Sequence, residues 1–123
     1  MELLFSNQDT EEICVDLNAA REFFGGNEVL AMSLLSRVNS LRQADTIHDI
    51  RVMPNFHFHN LENIGRKRLK GYFAIDVKSR KEQWRIILEP LDETKKPFVP
   101  CNIDIIAKKV RIVEIKEVSK HYG

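Results

Sequence analysis

Apolar and polar positions alternate with two different periods along the chain, helical in the first third and strand-like in the remainder. Residues 2–5 are mostly apolar and predict an opening strand. In residues 9–24 apolar side chains recur three or four positions apart, which predicts a helix, and Gly25 and Gly26 can end it because glycine readily adopts a positive φ. Asn27 can cap a second helix. The apolar face of that helix is formed by Leu30, Leu34, Val38 and Leu41.

Beyond residue 44 the pattern changes to short elements. Residues 46–50 suit one helical turn, which Pro54 should stop because proline disfavours helix in the residue before it. Residues 56–59 alternate apolar and polar side chains at strand period, and residues 72–77 and 84–88 predict a β-hairpin. The proline-rich segment 89–100 predicts a loop, residues 103–106 a short strand, and residues 110–118 a final strand.

Two helices followed by several strands indicate an α+β fold, in which an N-terminal helical hairpin packs on a mainly antiparallel sheet of four to five strands. The order of the elements lacks the βαβ alternation of a doubly wound fold. A chain of 123 residues is long enough to bury one core, so we expect residues 1–123 to form a single domain.

Basic residues are concentrated in the second part of the chain. Residues 1–50 carry three basic and nine acidic side chains, whereas residues 51–123 carry sixteen and nine. Between residues 64 and 86 there are eight basic side chains and two acidic ones. Such a surface suits a polyanion, because phosphate contacts supply most of the affinity that does not depend on base sequence. A merely solvated surface of Lys and Arg is the alternative.

Cysteine spacing and hydropathy indicate the compartment in which the protein is expected to work. Cys14 and Cys101 lie far apart, without the CxxC spacing of a metal or redox site, so we expect two buried, reduced thiols. No apolar run approaches the length of a membrane span, and the first residues lack the basic region and long apolar stretch of a signal peptide. We therefore expect a cytoplasmic protein with no membrane partner.

Four short motifs occur in order between residues 49 and 122. They are Asp-Ile-Arg-Val-Met-Pro at 49–54, a basic run between two glycines at 65–73, Gln-Trp-Arg-Ile at 83–86, and Val-Glu-Ile at 113–115 followed by Lys-His-Tyr at 120–122. With the preceding helical hairpin, they resemble the HigB-type killer proteins of the RelE/ParE toxin superfamily over about two-thirds of the chain. The similar proteins often end in Asp-Tyr-His, and residues 92–109 look like an insertion relative to them.

The resemblance implies a RelE-like fold and the toxin of a type II toxin–antitoxin system. Such toxins are endoribonucleases that inhibit translation by cleaving messenger RNA, in many members only on the translating ribosome. A ribose 2′-hydroxyl attacks the adjacent phosphate, which requires a base, a cation that stabilises the developing charge and an acid for the departing oxygen. No metal or cofactor takes part. The implied partners are messenger RNA, the ribosome and a cognate antitoxin of helix-turn-helix type.

Arg85 is the leading candidate for binding the phosphate. In the alternation of residues 83–86, Trp84 and Ile86 turn towards the core and Arg85 turns outward, where its guanidinium can bind phosphate through two hydrogen bonds. An exposed strand arginine or an ion pair without a catalytic role is the alternative.

The general acid and base stay open at this point. His57 and His59 point to the same face of a predicted strand, and two histidines without a third nearby ligand make a poor metal site, so we expect none. Including these two, the candidates for acid or base are Lys67, Lys70, His57, His59, His121 and Tyr122. The candidates for RNA binding are Arg66, Lys67, Arg68, Lys70, Arg80 and Lys81.

Two other functions fit the same residues. One is a ParE-like gyrase inhibitor, which would share the fold but act by protein binding alone. The other is a non-catalytic module that binds RNA or the ribosome. Arg85 together with the terminal His121 and Tyr122 favours the nuclease, because a gyrase inhibitor needs no acid and base beside a phosphate-binding arginine.

Overall fold

The computed structural model describes residues 1–61 and 71–120. Its helices are α1 (Gln8–Val15), α2 (Leu17–Phe23), α3 (Glu28–Gln43), α4 (Ile47–Arg51) and α5 (Ile103–Ile106). Its strands are β1 (Glu2–Phe5), β2 (His59–Asn60), β3 (Phe73–Asp76), β4 (Arg85–Leu91) and β5 (Ile112–Ser119). A 3₁₀ turn, Pro54–Phe56, lies between α4 and β2. The α+β architecture agrees with the prediction.

The strands form one sheet in the order β1-β5-β4-β3-β2. β1 runs parallel to β5, and the other three pairings are antiparallel. The last strand along the chain is therefore an inner strand of the sheet, and the first strand forms one edge. Five strands with mostly antiparallel pairing lie within the range that the sequence predicts.

The helices cover one face of this sheet. Leu34, Val38 and Leu41 of α3 are buried in the same apolar cluster as Ile75 of β3 and Ile86 of β4. Helical spacing thus identified the buried side of α3 correctly, because residues three or four apart lie on one face of a helix.

The opposite face of the sheet also contains buried apolar side chains. Leu61, Ala74 and Ile87 form a second, smaller cluster against which Tyr72 packs. Arg85 lies on the same face as Ile87, since side chains two positions apart along a strand point the same way. β4 is therefore buried on both faces, and alternation along it does not separate core from solvent.

The first predicted helix is in fact two. Asp16 has an extended backbone, with φ −121° and ψ 117°, and its side chain accepts a hydrogen bond from the Asn18 backbone N–H at 3.0 Å. It ends α1 and caps α2, so the apolar spacing continues across a break. Short polar side chains favour this capping role over a position inside a helix.

Two of the predicted short strands are wrong in whole or in part. Residues 103–106 form helix α5, because Asn102 caps them by accepting a hydrogen bond from the Asp104 N–H at 3.1 Å, and Ile105 in this helix is 67% exposed. Of residues 56–59 only His59 lies in a strand, since Phe56 ends the 3₁₀ turn and His57 adopts a left-handed backbone with φ 52°.

Candidate functional site

A buried carboxylate lies at one end of the sheet. Asp76 is the last residue of β3, is only 1% exposed, and pairs across the antiparallel ladder with Arg85, the first residue of β4. Arg85 in turn pairs with Ser119 of β5, which is also buried. A row of polar residues therefore crosses three strands where the neighbouring positions are apolar.

Arg85 directs its guanidinium into this row and the turn beside it. Its Nε lies 3.2 Å from Asp76 Oδ1 in an ion pair, although no hydrogen bond from Nε is formed within the described residues. Its Nη1 donates hydrogen bonds to the carbonyl oxygens of Glu82 and Trp84, and its Nη2 donates to that of Arg80 at 3.3 Å. One side chain thus neutralises Asp76 and holds three backbone carbonyls of the turn between β3 and β4.

The expectation that Arg85 turns outward is therefore wrong. The residue is 5% exposed, because the face of β4 opposite Trp84 is covered and not open to solvent. Sequence alternation placed Arg85 and Trp84 on different faces of the strand, but it could not show that both faces are buried. In this structure Arg85 corresponds to the alternative weighed beside phosphate binding, an ion pair.

His57 contacts the same carboxylate oxygen as Arg85. Its Nδ1 lies 3.3 Å from Asp76 Oδ1, and its side chain is 25% exposed. A histidine that donates its Nδ1 proton to a carboxylate keeps the lone pair on Nε2 and can accept a proton there. His57 also has a positive φ of 52°, a conformation that is uncommon outside glycine and often found at functional sites.

His59 stacks on His57, with ring centroids 4.5 Å apart, although only His59 lies in a strand. Its Nδ1 lies 2.8 Å from the His57 carbonyl oxygen, while its buried Nε2 has no hydrogen-bond partner within the described residues. Burial lowers the pKa of His59, and the nearby His57 and Arg85 lower it further, against the raising effects of the His57 carbonyl and Asp76. The second imidazole therefore stays neutral near pH 7.

Arg37 ties this end of the sheet to the helices. Its Nε donates a hydrogen bond to the Asp76 carbonyl at 3.1 Å, and its Nη2 donates to the carbonyls of Asn55 and Lys78 at 3.1 and 3.0 Å. Its guanidinium also lies over the Phe56 ring, 4.2 Å from the centroid. Because Asn55 and Phe56 directly precede His57, these contacts position the segment that carries the imidazole.

The turn between β3 and β4 presents cations to solvent. Arg85 and Arg37 hold its backbone carbonyls, while the side chains of Lys78, Arg80 and Lys81 are exposed. Arg80 and Lys81 are two of the side chains predicted to bind RNA, and the structure places them in the turn that begins two residues after Asp76. A fixed backbone with exposed cationic side chains is suited to phosphate contacts.

All the other predicted site residues fall in the two stretches that the structure does not describe, 62–70 and 121–123. They are Arg66, Lys67, Arg68, Lys70, His121 and Tyr122. Their predicted roles as acid, base or RNA contact stay predictions. Lys120 is the last described residue before the second of these stretches and directly follows Ser119 along the chain. Its Nζ lies 5.7 Å from the Trp84 ring centroid.

Sequence reasoning missed two residues at the centre of this site. Asp76 is the only acid in an otherwise apolar strand, and the register of the predicted hairpin would place it opposite Arg85. The sequence therefore contained the information needed to predict Asp76 as a site residue. Arg37 gave no such signal, because it belongs to a helix 39 positions away from Asp76 along the chain. Within the described residues no cluster of three or more His, Cys, Asp or Glu side chains could hold a metal ion.

The chain was compared with family models, curated proteins and solved structures, and none of them matches it. Residues 1–61 and 71–120 contain no helix long and apolar enough to span a membrane.

Proposed function

We propose that the protein is a metal-independent endoribonuclease that uses His57 as its general base. The observation that carries this proposal is the 3.3 Å contact between His57 Nδ1 and the buried Asp76 carboxylate. A partly exposed imidazole beside a buried carboxylate is a common arrangement for proton transfer, since the carboxylate fixes the tautomer and stabilises the imidazolium that forms.

The reaction follows from the chemistry of RNA. Neutral His57 takes the proton of a ribose 2′-hydroxyl through Nε2, the 2′ oxygen forms a bond to the adjacent phosphorus, and the bond from phosphorus to the 5′ oxygen breaks. A general acid returns a proton to that 5′ oxygen, leaving a cyclic phosphate and a free 5′-hydroxyl. Lys67, Lys70, His121 and Tyr122 are the candidates for this acid.

Phosphate binding is assigned to the exposed cations of the turn between β3 and β4. Arg80 and Lys81 project from a backbone that Arg85 holds through its hydrogen bonds to carbonyl oxygens. Arg85 therefore acts as a positioning residue in this proposal. Its permanent charge balances Asp76, which leaves the turn cations available to an anionic substrate.

The biological role rests on the resemblance to HigB-type proteins. On that basis we assign the chain to the toxin of a toxin–antitoxin pair, with a RelE-like fold, translated messenger RNA as substrate and a helix-turn-helix antitoxin as partner. The asymmetry between an acidic first part and a basic second part of the chain fits a protein with one RNA-binding side.

The test is cleavage of a labelled single-stranded RNA by purified protein, alone and with translating ribosomes, in the presence of a chelator. His57→Gln should lower the cleavage rate by about 100-fold or more, the usual loss for a general base. The matched control is His48→Gln in α4, which changes a histidine outside the site. Equal cleavage by the two variants would remove His57 from the mechanism.

The burial of Arg85 favours a second candidate, a module that binds RNA or the ribosome without cleaving it. A nuclease of this kind needs a cation at the phosphate as charge develops, and the side chain best matched to that task is occupied by Asp76. Wild-type protein that binds RNA through the turn cations but leaves it intact on ribosomes would establish this second function in place of the first.

A further inference from the structure

A cavity of about 350 Å³ lies beside β4, away from the site around Asp76. It is lined by Glu89, Pro90, Pro97, Phe98, Pro100 and Cys101, among others. Glu89 is four residues from Arg85 along the strand, or about 13 Å at the usual rise of a β-strand. The volume is that of a small-molecule pocket, whose walls are typically apolar with a few polar groups that fix orientation.

The outer wall of this cavity is held in place by its own contacts. Asp92 Oδ1 accepts hydrogen bonds from the Thr94 N–H at 2.8 Å, the Thr94 hydroxyl at 2.6 Å and the Lys96 N–H at 3.1 Å. Pro97 then forms an isolated bridge with Leu91. The segment that precedes Phe98 is thus folded back on β4, so the cavity does not depend on a ligand to shape its wall.

The inner wall carries an excess of negative charge. The Glu89 side chain is 14% exposed, and its Oε1 lies 3.6 Å from Lys116 Nζ. The same ammonium lies closer to Glu114, 3.3 Å from its Oε1. The Lys116 ammonium is therefore shared by two carboxylates. Of the two, Glu89, which lines the cavity, lies farther from the ammonium. Burial raises the pKa of Glu89, Lys116 offsets this only in part, and the neighbouring Glu114 adds to the rise.

From this arrangement we infer that the cavity binds an aliphatic ammonium group. Its cation would pair with Glu89, and its hydrocarbon part would lie against the prolines and Phe98. An anion would be repelled by the Glu89 carboxylate, and a neutral apolar molecule would leave Glu89 to share the single Lys116 ammonium with Glu114. The ammonium can belong to a free amine or to a lysine side chain of a partner protein.

The experiment uses Cys101, which lines the cavity, as the reporter. Alkylation of Cys101 by iodoacetamide is followed by mass spectrometry at pH 8, while n-butylammonium or uncharged 1-butanol is titrated into the 123-residue chain. Buried Cys14 serves as the internal control for unfolding. Butylammonium should slow alkylation of Cys101 at concentrations at least tenfold lower than butanol does. Equal protection by the two probes would overturn the inference.

Two substitutions that remove opposite charges, and that should have opposite effects on protection, test the role of Glu89. Glu89→Gln should weaken protection by butylammonium at least tenfold, and Lys116→Gln should strengthen it, because the competing cation is removed. Glu93→Gln changes an exposed acid in the same loop and should leave protection unchanged. The inference fails if the Glu89 variant behaves like the Glu93 variant, or if the Lys116 variant weakens protection.

The two sources of the ammonium are then compared in the same protection assay. Cadaverine represents a free amine, and a blocked peptide containing one lysine represents a partner protein. The probe that slows alkylation of Cys101 at lower concentration identifies the source, and failure of both to protect Cys101 would contradict the inference. None of these measurements involves RNA, so they stand or fall independently of the proposed nuclease activity.

Discussion

Asp76 and Arg85 face each other across the β3–β4 ladder, and both side chains are almost completely removed from solvent. A buried charge is tolerated only when an opposite charge compensates it, so neither residue can be changed without consequence for the other. Because of this ion pair, Arg85 supports the structure of the site and does not contact the substrate. The first measurable effect of replacing it should therefore be on the free energy of unfolding.

Replacing Arg85 with alanine should destabilise the fold strongly, because it leaves the Asp76 carboxylate buried without a partner. We expect a loss of about 3–5 kcal/mol in the free energy of unfolding, measured by urea denaturation. The control Arg80→Ala removes an exposed arginine of the adjacent turn and should change stability by less than about 0.5 kcal/mol. Similar stabilities for the two variants would contradict a buried ion pair.

Removing both charges together should lower the free energy of unfolding by less than removing the Arg85 charge alone. In the double variant Asp76→Asn with Arg85→Met, no unpaired charge remains in the interior, so part of the lost stability should return. The comparison is made by urea denaturation of the two single variants and the double variant. Strictly additive losses would mean that the two side chains do not interact.

The exposed cations of the β3–β4 turn should set the salt dependence of RNA binding. Arg80→Ala combined with Lys81→Ala should weaken binding of single-stranded RNA and reduce the slope of log affinity against log salt by about 0.7 for each phosphate that is no longer neutralised. Fluorescence anisotropy over a salt series measures both effects. Lys108→Ala with Lys109→Ala removes two exposed lysines from another segment; an equal reduction in that variant would argue against a specific role for the turn.

His59 should make the fold sensitive to acid. Its pKa in the folded protein lies below the ordinary 6.5, so the unfolded chain binds a proton more readily as pH falls past that value. The free energy of unfolding should therefore decline as pH falls from about 6.5 towards the folded pKa. His59→Gln should flatten the decline in that window, whereas an unchanged pH profile would contradict the assignment to His59.

The two cysteines should differ sharply in reactivity. Burial raises the pKa of Cys14 to about 12, and the nearby Arg42 only partly offsets this, whereas Cys101 is half-buried at the rim of a cavity. Because the thiolate is the reactive form, Ellman's reagent at pH 8 should modify one thiol rapidly in the native protein and the second only after unfolding. The variants Cys14→Ser and Cys101→Ser identify the fast thiol: the first should react rapidly and the second slowly. Two rapidly modified thiols in the native wild-type protein would contradict the burial of Cys14.

The sequence predicted most elements because each leaves a local signal. Helical spacing and the cap Asn27 identified α3, and alternation on either side of the 78–82 turn identified the hairpin that holds Asp76 and Arg85. Such signals depend only on neighbours within a few positions. The error at residues 103–106 has the same origin, because a run of apolar residues is typical of a strand until the capping role of Asn102 is considered.

The centre of the site was harder to predict because it depends on contacts between distant segments. His57 was already a candidate, but its contact with Asp76 joins residues 19 positions apart, and the hydrogen bond from Arg37 to Asp76 spans 39. The outward orientation assigned to Arg85 failed for a related reason. Period-two alternation distinguishes the two faces of a strand, whereas the burial of a face depends on segments that alternation does not describe.

The parallel pairing of β1 with β5 has a consequence for the order in which the protein can form on the ribosome. Glu2 finds its partner only at Ile112, and the same late strand supplies Ser119 opposite Arg85. A nascent chain that ends before β5 therefore holds an edge strand without its neighbour and a hairpin that is open on one side. Neither the sheet nor the polar row that crosses it can be completed until residues 112–119 have been synthesised.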